Sequence, residues 1–287
     1  MSITAADVTD AELDAICDTV YDSSLPEDIT VDGVEVFSSE FYQTAKEYYK
    51  ESGLVRLQFE DLSQPFELLE QVARGFGFDS AFVPPQYSDS DGLHNDFGIN
   101  EISHDGGSES DHEGFLSNEE QSVHVDGTLE PIGSVPTTIM LCQSQAQSGG
   151  ESRVFNSVGA FTQLVEEHPE LANALCSTKT LTRSDVDRSG NSKTGPVFDI
   201  NESGLVTRFS LDNTSEWNLD EVEHLQEALD WMENRLSLDS DFYTEFRLAP
   251  GDMLIVANHK ISHGRNGYKD TEGNRRQLYR ALFQEPL

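Results

Sequence analysis

The sequence predicts a mainly β chain with flanking helices, arranged as a jelly roll or barrel rather than as a parallel sheet. From residue 122 onward, short runs with strand character follow one another and turn residues separate them: SVHVD, TTIMLCQ, SRVFNS, GLVTRFS, EFRLA and DMLIVANHK. Two helical stretches interrupt these runs, VGAFTQLVEEHPELANALCS and LDEVEHLQEALDWMENRLS. Many short strands with few helices are typical of antiparallel sandwiches and barrels.

The first part of the chain supplies the flanking helices. Residues 1–50 are acidic and are predicted to be helical, residues 54–59 have strand character, and the apolar residues of 68–76 recur at helical spacing. Residues 88–122 are rich in Asp, Ser, Gly, Glu and His. A run this long without a regular pattern is typical of a functional lid or of a disordered segment. We expect one domain over residues 1–287, with residues 88–122 as an active-site lid.

Composition excludes several classes of protein. The 53 acidic residues outnumber the 18 basic ones and give a net charge of −35, which argues against nucleic acid as a partner. No apolar run approaches the roughly 18 residues that span a membrane, and the N-terminus has no basic and apolar signal pattern, so we expect a cytoplasmic protein. Cys17, Cys142 and Cys176 lack C-x-x-C spacing, which argues against a disulfide framework and a zinc site.

The acidity itself predicts a salt dependence. Repulsion among so many carboxylates is tolerable in a salt-rich cytosol, because the Debye length falls from about 10 Å at 0.1 M salt to about 3 Å at 1 M. We expect the melting temperature to rise between low and molar KCl, as thermal unfolding monitored across a KCl series will show. A melting temperature that does not rise would leave an ordinary acidic protein as the explanation.

The segment HVDGT carries the first chemical signal. On a strand, side chains at i and i+2 point to one face, so His124 and Asp126 project together. Non-heme Fe(II) is held by two histidines and one carboxylate, and His124 and Asp126 would supply one of each. The best third ligand is His263, which follows the apolar strand of APGDMLIVANHKISHGRNGY and precedes a glycine.

From about Gly53 to the C-terminus, these motifs occur in an order that resembles the taurine dioxygenase-like and clavaminate synthase-like Fe(II)/2-oxoglutarate-dependent oxygenases, which are jelly rolls. SGLVRLQFED with LLEQVARGFGF is similar to the opening strand and helix of that family. HVDGT and PGDMLIVANHKISHGR are similar to its two metal motifs, GGESRVFNS to its G-G-[DE]-T segment and NRRQLYR to its last motif. H-x-D alone is common, whereas the ordered set is specific.

The resemblance implies roles for six residues. His124, Asp126 and His263 would ligate Fe(II). Arg276 and the hydroxyl of Ser152, which stands where the family usually has a threonine, would hold the far carboxylate of the cosubstrate 2-oxoglutarate. Arg280 would meet an acidic group of the substrate, with a structural ion pair as the alternative.

The implied reaction consumes dioxygen and 2-oxoglutarate, releases succinate and CO2, and hydroxylates an unactivated C–H bond. Desaturation, cyclisation and halogenation are alternatives on the same scaffold, but halogenases of this superfamily replace the carboxylate that Asp126 provides. Another jelly-roll metalloenzyme and a non-catalytic jelly-roll binding protein are the rival classes. The expected substrate is a small charged molecule, most simply a free amino acid, whose cationic group would face the acidic residues of 104–121. The sequence does not indicate an oligomeric state.

The remaining polar residues are expected to have ordinary roles. Arg265 and Arg275 are interpreted as solvated or structural. The histidines without a partner at ligand spacing are interpreted as surface or hydrogen-bonded residues; they are His94, His168, His224 and His259. A second metal site at His104, Asp105, Asp111 and His112 is disfavoured because no strand would fix its geometry.

Overall fold

A computed structural model of the 287-residue chain describes residues 15–21, 30–85, 94–103, 117–185 and 190–287. The α-helices in these ranges are α1 (Ser39–Ser52), α2 (Pro65–Phe76), α3 (Ser157–Glu167), α4 (Pro169–Leu175) and α5 (Leu225–Glu233). The strands are β1 (Leu54–Gln58), β2 (Asn100–Ser103), β3 (Gln121–His124), β4 (Thr137–Ser144), β5 (Ser148–Gly149), β6 (Ser152–Phe155), β7 (Leu181–Ser184), β8 (Ser192–Gly195), β9 (Phe198–Asn201), β10 (Gly204–Thr207), β11 (Ser215–Trp217), β12 (Tyr243–Phe246), β13 (Asp252–Ala257), β14 (Ser262–Arg265), β15 (Tyr268–Lys269) and β16 (Gln277–Phe283). The prediction of a mainly β chain with flanking helices is confirmed.

Two antiparallel sheets form the centre of the molecule. One has five strands in the order β1-β13-β4-β16-β2, and the other has four in the order β12-β6-β14-β3. Side chains from both sheets, such as Ile139, Leu141, Val154 and Phe155, are fully buried in one hydrophobic cluster. Burial of apolar surface at about 25 cal/mol per Å² stabilises this arrangement.

The helices and strand predicted for the first part of the chain are present where the structure describes it. The Ser38 hydroxyl caps α1 by accepting the Phe41 N–H, and Gly53 ends the helix at φ 72°. A Cβ at Gly53 would lie 2.9 Å from Cγ1 of Ile261, so position 53 needs glycine for both its conformation and its space. Of residues 1–50, the ranges 1–14 and 22–29 lie outside the described residues.

The predicted helical pair differs from the structure in extent. The first stretch is split at His168, because Pro169 cannot continue α3 and instead begins α4. The second stretch is helical only over α5, since His224 has a left-handed backbone, at φ 64°, directly before its first turn. The strand expected at EFRLA lies slightly earlier, over β12, where it pairs with β6.

The chain between β6 and β12 adds two small sheets, β10-β9 and β11-β7-β8, and a further pair joins β15 to β5. Of the predicted lid, residues 88–93 and 104–116 lie outside the described residues, as do His104, Asp105, Asp111 and His112. Its remaining part contains β2 at the edge of the five-stranded sheet and the start of β3. None of the described helices has the length and apolar character needed to cross a membrane.

Candidate active site

Two histidines face each other across the four-stranded sheet. His124 is the last residue of β3 and stands opposite His263 in the register of β14. Their ring centroids are 4.8 Å apart and both side chains are buried. The two predicted histidine ligands are 139 residues apart in the sequence, and the pairing of β3 with β14 brings them together.

Asp126 lies beyond the end of β3 and is positioned by a loop. The predicted strand SVHVD ends at His124, so alternation along a strand does not orient Asp126. Its backbone N–H instead donates to Oδ1 of Asn258 at 2.9 Å, and the Asn258 amide donates to the carbonyls of Asp126 and Val135 at 3.3 and 2.7 Å. Asn258 is fully buried and follows β13 directly. Its side chain fixes the turn that carries the aspartate.

The Asp126 carboxylate has three neighbours. Its Oδ2 accepts a hydrogen bond from the Thr138 hydroxyl at 2.9 Å and lies 3.3 Å from Nε2 of His263. Its Oδ1 accepts from Nη1 of Arg280 at 2.6 Å. Sequence reasoning missed Thr138 and Asn258, since neither belongs to a metal motif and both reach Asp126 from other strands or loops.

The residues fit a metal ion such as Fe(II). His124, Asp126 and His263 are all buried and each offers a ligand atom, and these atoms lie within 4.8 Å of one another. Nδ1–H of His124 donates to the Ser122 carbonyl at 3.0 Å, which leaves its Nε2 for a metal. Nδ1 of His263 is buried without a hydrogen-bond partner among the described residues. Two imidazoles and one carboxylate form the donor set expected for non-heme iron.

The electrostatics hold His124 and Asp126 in their metal-binding forms. Burial and the neighbouring His263 lower the pKa of His124 to about 4, so the imidazole is neutral at pH 7. Burial by itself would raise the pKa of Asp126, but Arg280 and the two histidines outweigh it and hold that pKa well below its ordinary value. Neutral imidazole and ionised carboxylate are the forms that bind a metal.

A cavity of about 550 Å³ adjoins this cluster, and the other predicted residues line it together with His124 and His263. Ser152 is the first residue of β6, Arg276 directly precedes β16, and Arg280 lies within β16. The structure thus brings all six predicted site residues to one place: five line the cavity and Asp126 contacts two of those five.

Arg276 is held at the cavity wall by the chain around it. Its guanidinium carbon lies 5.3 Å from the ring centroid of Tyr268, and its backbone N–H donates to Oδ1 of Asp270 at 2.9 Å. Gly150, at φ 77°, makes room for the side chain, because a Cβ there would lie 3.2 Å from Cδ of Arg276. Burial lowers the pKa of Arg276, while Tyr268 and Asp270 oppose that shift.

Arginine side chains line the cavity although the protein is acidic. Four of the twelve arginines in the sequence line it, namely Arg153, Arg265, Arg276 and Arg280, and no acidic residue of the described ranges does. Arg265 is buried and donates to the carbonyls of Ser117 and Glu119, so its structural interpretation is correct and its solvated one is wrong. Arg275 is exposed, as expected.

Thr138 provides a test of the metal site. Thr138→Val removes one hydrogen bond to Asp126 and keeps the shape of the side chain. Because such supporting contacts orient metal ligands, we expect Fe(II) affinity to fall by about 10- to 100-fold in an anaerobic titration. The matched control is Thr137→Val: the Thr137 hydroxyl donates to the Glu285 carbonyl at 2.9 Å, away from Asp126, so it should leave Fe(II) affinity unchanged. Equal affinities in the two variants would contradict the role of Thr138.

Comparison with known proteins identifies the family. A family model described as taurine catabolism dioxygenase TauD, TfdA family, matches residues 21–282. The chain belongs to the TauD/TfdA family of dioxygenases. The resemblance expected from the ordered motifs is thereby confirmed.

Two known proteins share considerable identity with the chain. A uridine-5'-phosphate dioxygenase of Amycolatopsis sp is 39% identical over 178 residues, which are 61% of this chain and 64% of that protein. A uridine-5'-phosphate dioxygenase of Streptomyces sp is 31% identical over 216 residues, which are 74% of this chain and 76% of that protein. The chain thus matches slightly less than two thirds of the length of the first relative.

Solved structures of other oxygenases share the fold. An asparagine oxygenase in complex with Fe(II), hydroxyasparagine and succinate superimposes with a TM-score of 0.61 at 16% identity, over 92% of this chain and 94% of the other. The non-heme iron oxygenase OrfP, in complex with Fe and α-ketoglutaric acid, gives 0.59 at 16% identity over 85% and 79%. The OrfP structure contains both iron and 2-oxoglutarate, which are the cofactor and cosubstrate predicted for this chain.

Proposed function

We propose that this chain is an Fe(II)- and 2-oxoglutarate-dependent dioxygenase that hydroxylates an unactivated C–H bond of a small anionic molecule. The observation that carries the proposal is the buried cluster of His124, Asp126 and His263 beside a cavity that also holds Arg276 and Ser152. Chance would not be expected to place a facial metal set and a buried guanidinium in one cavity of a TauD-family chain.

In this proposal His124, Asp126 and His263 are the iron ligands. The chemistry that iron and 2-oxoglutarate supply together is activation of dioxygen, with release of succinate and CO2, for oxidation of a C–H bond. Asn258 and Thr138 hold Asp126 in place, and Ser122 orients His124. Because Asp126 provides a carboxylate, hydroxylation is favoured over halogenation, and desaturation or cyclisation remain alternative outcomes.

Arg276 and Ser152 are proposed to hold the far carboxylate of 2-oxoglutarate. Both are buried and line the same cavity as the two histidines. A guanidinium binds a carboxylate through two charge-assisted hydrogen bonds, and a hydroxyl can add a third. Arg280 lines this cavity too, and its contact with Asp126 places a cationic group directly beside the proposed iron site. We propose that Arg280 also meets the acidic group of the substrate.

We further infer that the two larger sheets form the predicted jelly roll. Eight strands are shared between them: β2, β3, β4, β6, β12, β13, β14 and β16. Along the chain each strand of this set lies in the other sheet from the one before it, except that β6 and β12 are neighbours in the same sheet. Numbered from one to eight, these strands have the orders 6-3-8-1 and 5-4-7-2 in the two sheets, with β1 added beside the sixth. Eight strands shared between two antiparallel sheets are what a jelly roll requires.

The arginine-lined cavity supports an anionic substrate. A free amino acid, the expectation from the sequence, has the carboxylate that Arg280 would meet, but the acidic segment proposed to face its amino group lies largely outside the described residues. A nucleoside monophosphate is the second candidate. It is favoured by the two relatives described above, both of which are named uridine-5'-phosphate dioxygenases.

The test is succinate release by the purified protein in the presence of Fe(II), 2-oxoglutarate and a panel of uridine 5'-phosphate, amino acids, sulfonates and short carboxylates. We expect succinate formation that requires both Fe(II) and 2-oxoglutarate and that one class of anion stimulates, with an oxidised product detected by mass spectrometry. A protein that binds these compounds but forms no succinate would be a binding protein. Turnover without 2-oxoglutarate would indicate another metalloenzyme.

A further inference from the structure

A second cavity, of about 290 Å³, lies against Asp126. Five titratable residues line it: Asp126, Glu130, Arg183, Arg208 and His259. It adjoins the proposed iron site, since the carboxylate of Asp126 contacts His263 and Arg280 of the larger cavity. Its two arginines come from the chain between β6 and β12, outside the six site residues identified above.

Arg183 is a fully buried cation whose charge is compensated. Its guanidinium lies 3.6 Å from Oδ2 of Asp212 and donates to the hydroxyls of Thr214, at 3.0 Å, and of Thr128, at 3.2 Å. It also donates to the hydroxyl of Ser210. These contacts hold Arg183 rigidly at the wall of the cavity and leave the local charge balanced.

Arg208 differs from Arg183 because its charge has no such partner. It is 8% exposed, its Nη2 is buried without a hydrogen bond, and in the described ranges no carboxylate oxygen lies within 4.0 Å of its nitrogens. Glu130 lines the same cavity but forms no ion pair with it. Burial and the neighbouring Arg183 lower the pKa of Arg208 to about 10, so it remains charged at pH 7.

His259, the remaining titratable residue of the lining, adds no negative charge. Its Nδ1–H donates to the Pro136 carbonyl at 3.1 Å, and burial together with Lys260 lowers its pKa to about 3. Asp126 does carry a negative charge, but Arg280 already pairs with it. Among the described residues the buried guanidinium of Arg208 therefore has no ion-pair partner, and such a buried charge is costly unless an anion reaches it.

We propose that this cavity is an oxyanion subsite, in which Arg208 binds a phosphate group with Arg183 and the Thr128 hydroxyl beside it. The site rests on the proposed function, because it would hold the phosphate of an anionic substrate next to the iron ligands. For a substrate whose only acidic group is that phosphate, Arg280 would keep only its ion pair with Asp126. Guanidinium groups bind phosphate oxygens through paired charge-assisted hydrogen bonds.

The experiment is anaerobic calorimetry on the protein loaded with Fe(II) and saturating 2-oxoglutarate, so that the Arg276 side of the larger cavity is filled. The titrants are uridine 5'-phosphate, uridine and inorganic phosphate. We expect Arg208→Gln to weaken uridine 5'-phosphate binding by roughly 30-fold or more, with uridine binding unchanged. Arg208→Lys should give an intermediate loss. Binding of inorganic phosphate by the wild type, also lost in Arg208→Gln, would show that free phosphate uses the same site.

The matched control is Arg74→Gln, which removes an arginine whose side chain is 52% exposed and should change none of these affinities. Without ligand, Arg208→Gln should melt no lower than the wild type, because it removes that buried charge. Phosphate-ester binding by Arg208→Gln as tight as in the wild type would overturn the proposal, and so would a lower melting temperature. If the wild type binds no phosphate compound but releases succinate with another substrate, the subsite is wrong while the proposed function stands.

Discussion

Asp126→Ala is expected to reduce substrate-stimulated succinate formation to the rate measured without iron. The variant removes one of three proposed iron ligands and leaves Thr138 and the buried Arg280 without the carboxylate that they contact. Breaking a buried charge pair from one side costs about 3–5 kcal/mol, so we also expect a lower melting temperature. Succinate release and thermal unfolding are measured on the same preparation.

Asp126→Asn separates the loss of the ligand from the loss of stability. It keeps the size of the side chain and an oxygen that can accept from Thr138, but it removes the negative charge that favours a metal. We expect a folded protein with little turnover, whereas Asp220→Ala, on the exposed surface, should be fully active. Turnover by Asp126→Ala or Asp126→Asn within about tenfold of the wild type would contradict the ligand assignment.

Arg276→Ala is expected to raise the concentration of 2-oxoglutarate needed for half-maximal turnover by roughly 30- to several-thousand-fold. Losing the partner of a buried charged group costs on the order of 2–5 kcal/mol, and Arg276 lies outside the metal cluster, so iron binding should persist. Arg276→Lys keeps the charge without the planar guanidinium, so its 2-oxoglutarate requirement should lie between those of the wild type and Arg276→Ala. The measurement is succinate formation across a 2-oxoglutarate series.

Arg275→Ala is the matched control for Arg276→Ala. The two arginines are adjacent in the chain, but Arg275 is exposed whereas Arg276 is buried at the cavity. Arg275→Ala should therefore leave the 2-oxoglutarate requirement unchanged. An unchanged requirement in Arg276→Ala as well would show that another residue holds the far carboxylate.

The ordered motifs predicted most of the candidate site residues, because each motif lies within a few residues of a strand end. His124 closes β3, His263 lies in β14, and Arg276 directly precedes β16. Their meeting follows from how the strands pair, which the family resemblance supplied. The strand argument for Asp126 was incomplete, since β3 ends at His124 and Asn258, 132 residues away, holds the aspartate instead. A contact across that separation leaves no local pattern in a single sequence.

Buried charge was the feature least predictable from the sequence. Arg183 and Arg208 stand in ordinary strand-like segments, LTRS and GLVTRFS, where an arginine is normally on the solvent face. Their burial arises because the small sheets between β6 and β12 pack beside the turn after β3, which is a property of tertiary packing. The division of the predicted helix into α3 and α4 at Pro169, by contrast, could have been predicted from the sequence, because a helix usually ends before a proline.

The count of iron bound per chain tests the central claim most directly. The wild type, loaded anaerobically and freed of loose metal, should retain one Fe(II) per chain, and His263→Ala should retain essentially none. His168→Ala is the control, because His168 has a half-exposed side chain that lies outside the metal cluster, and it should bind iron like the wild type. Retention of one iron per chain by His263→Ala would contradict the assignment of His124, Asp126 and His263 as the metal site.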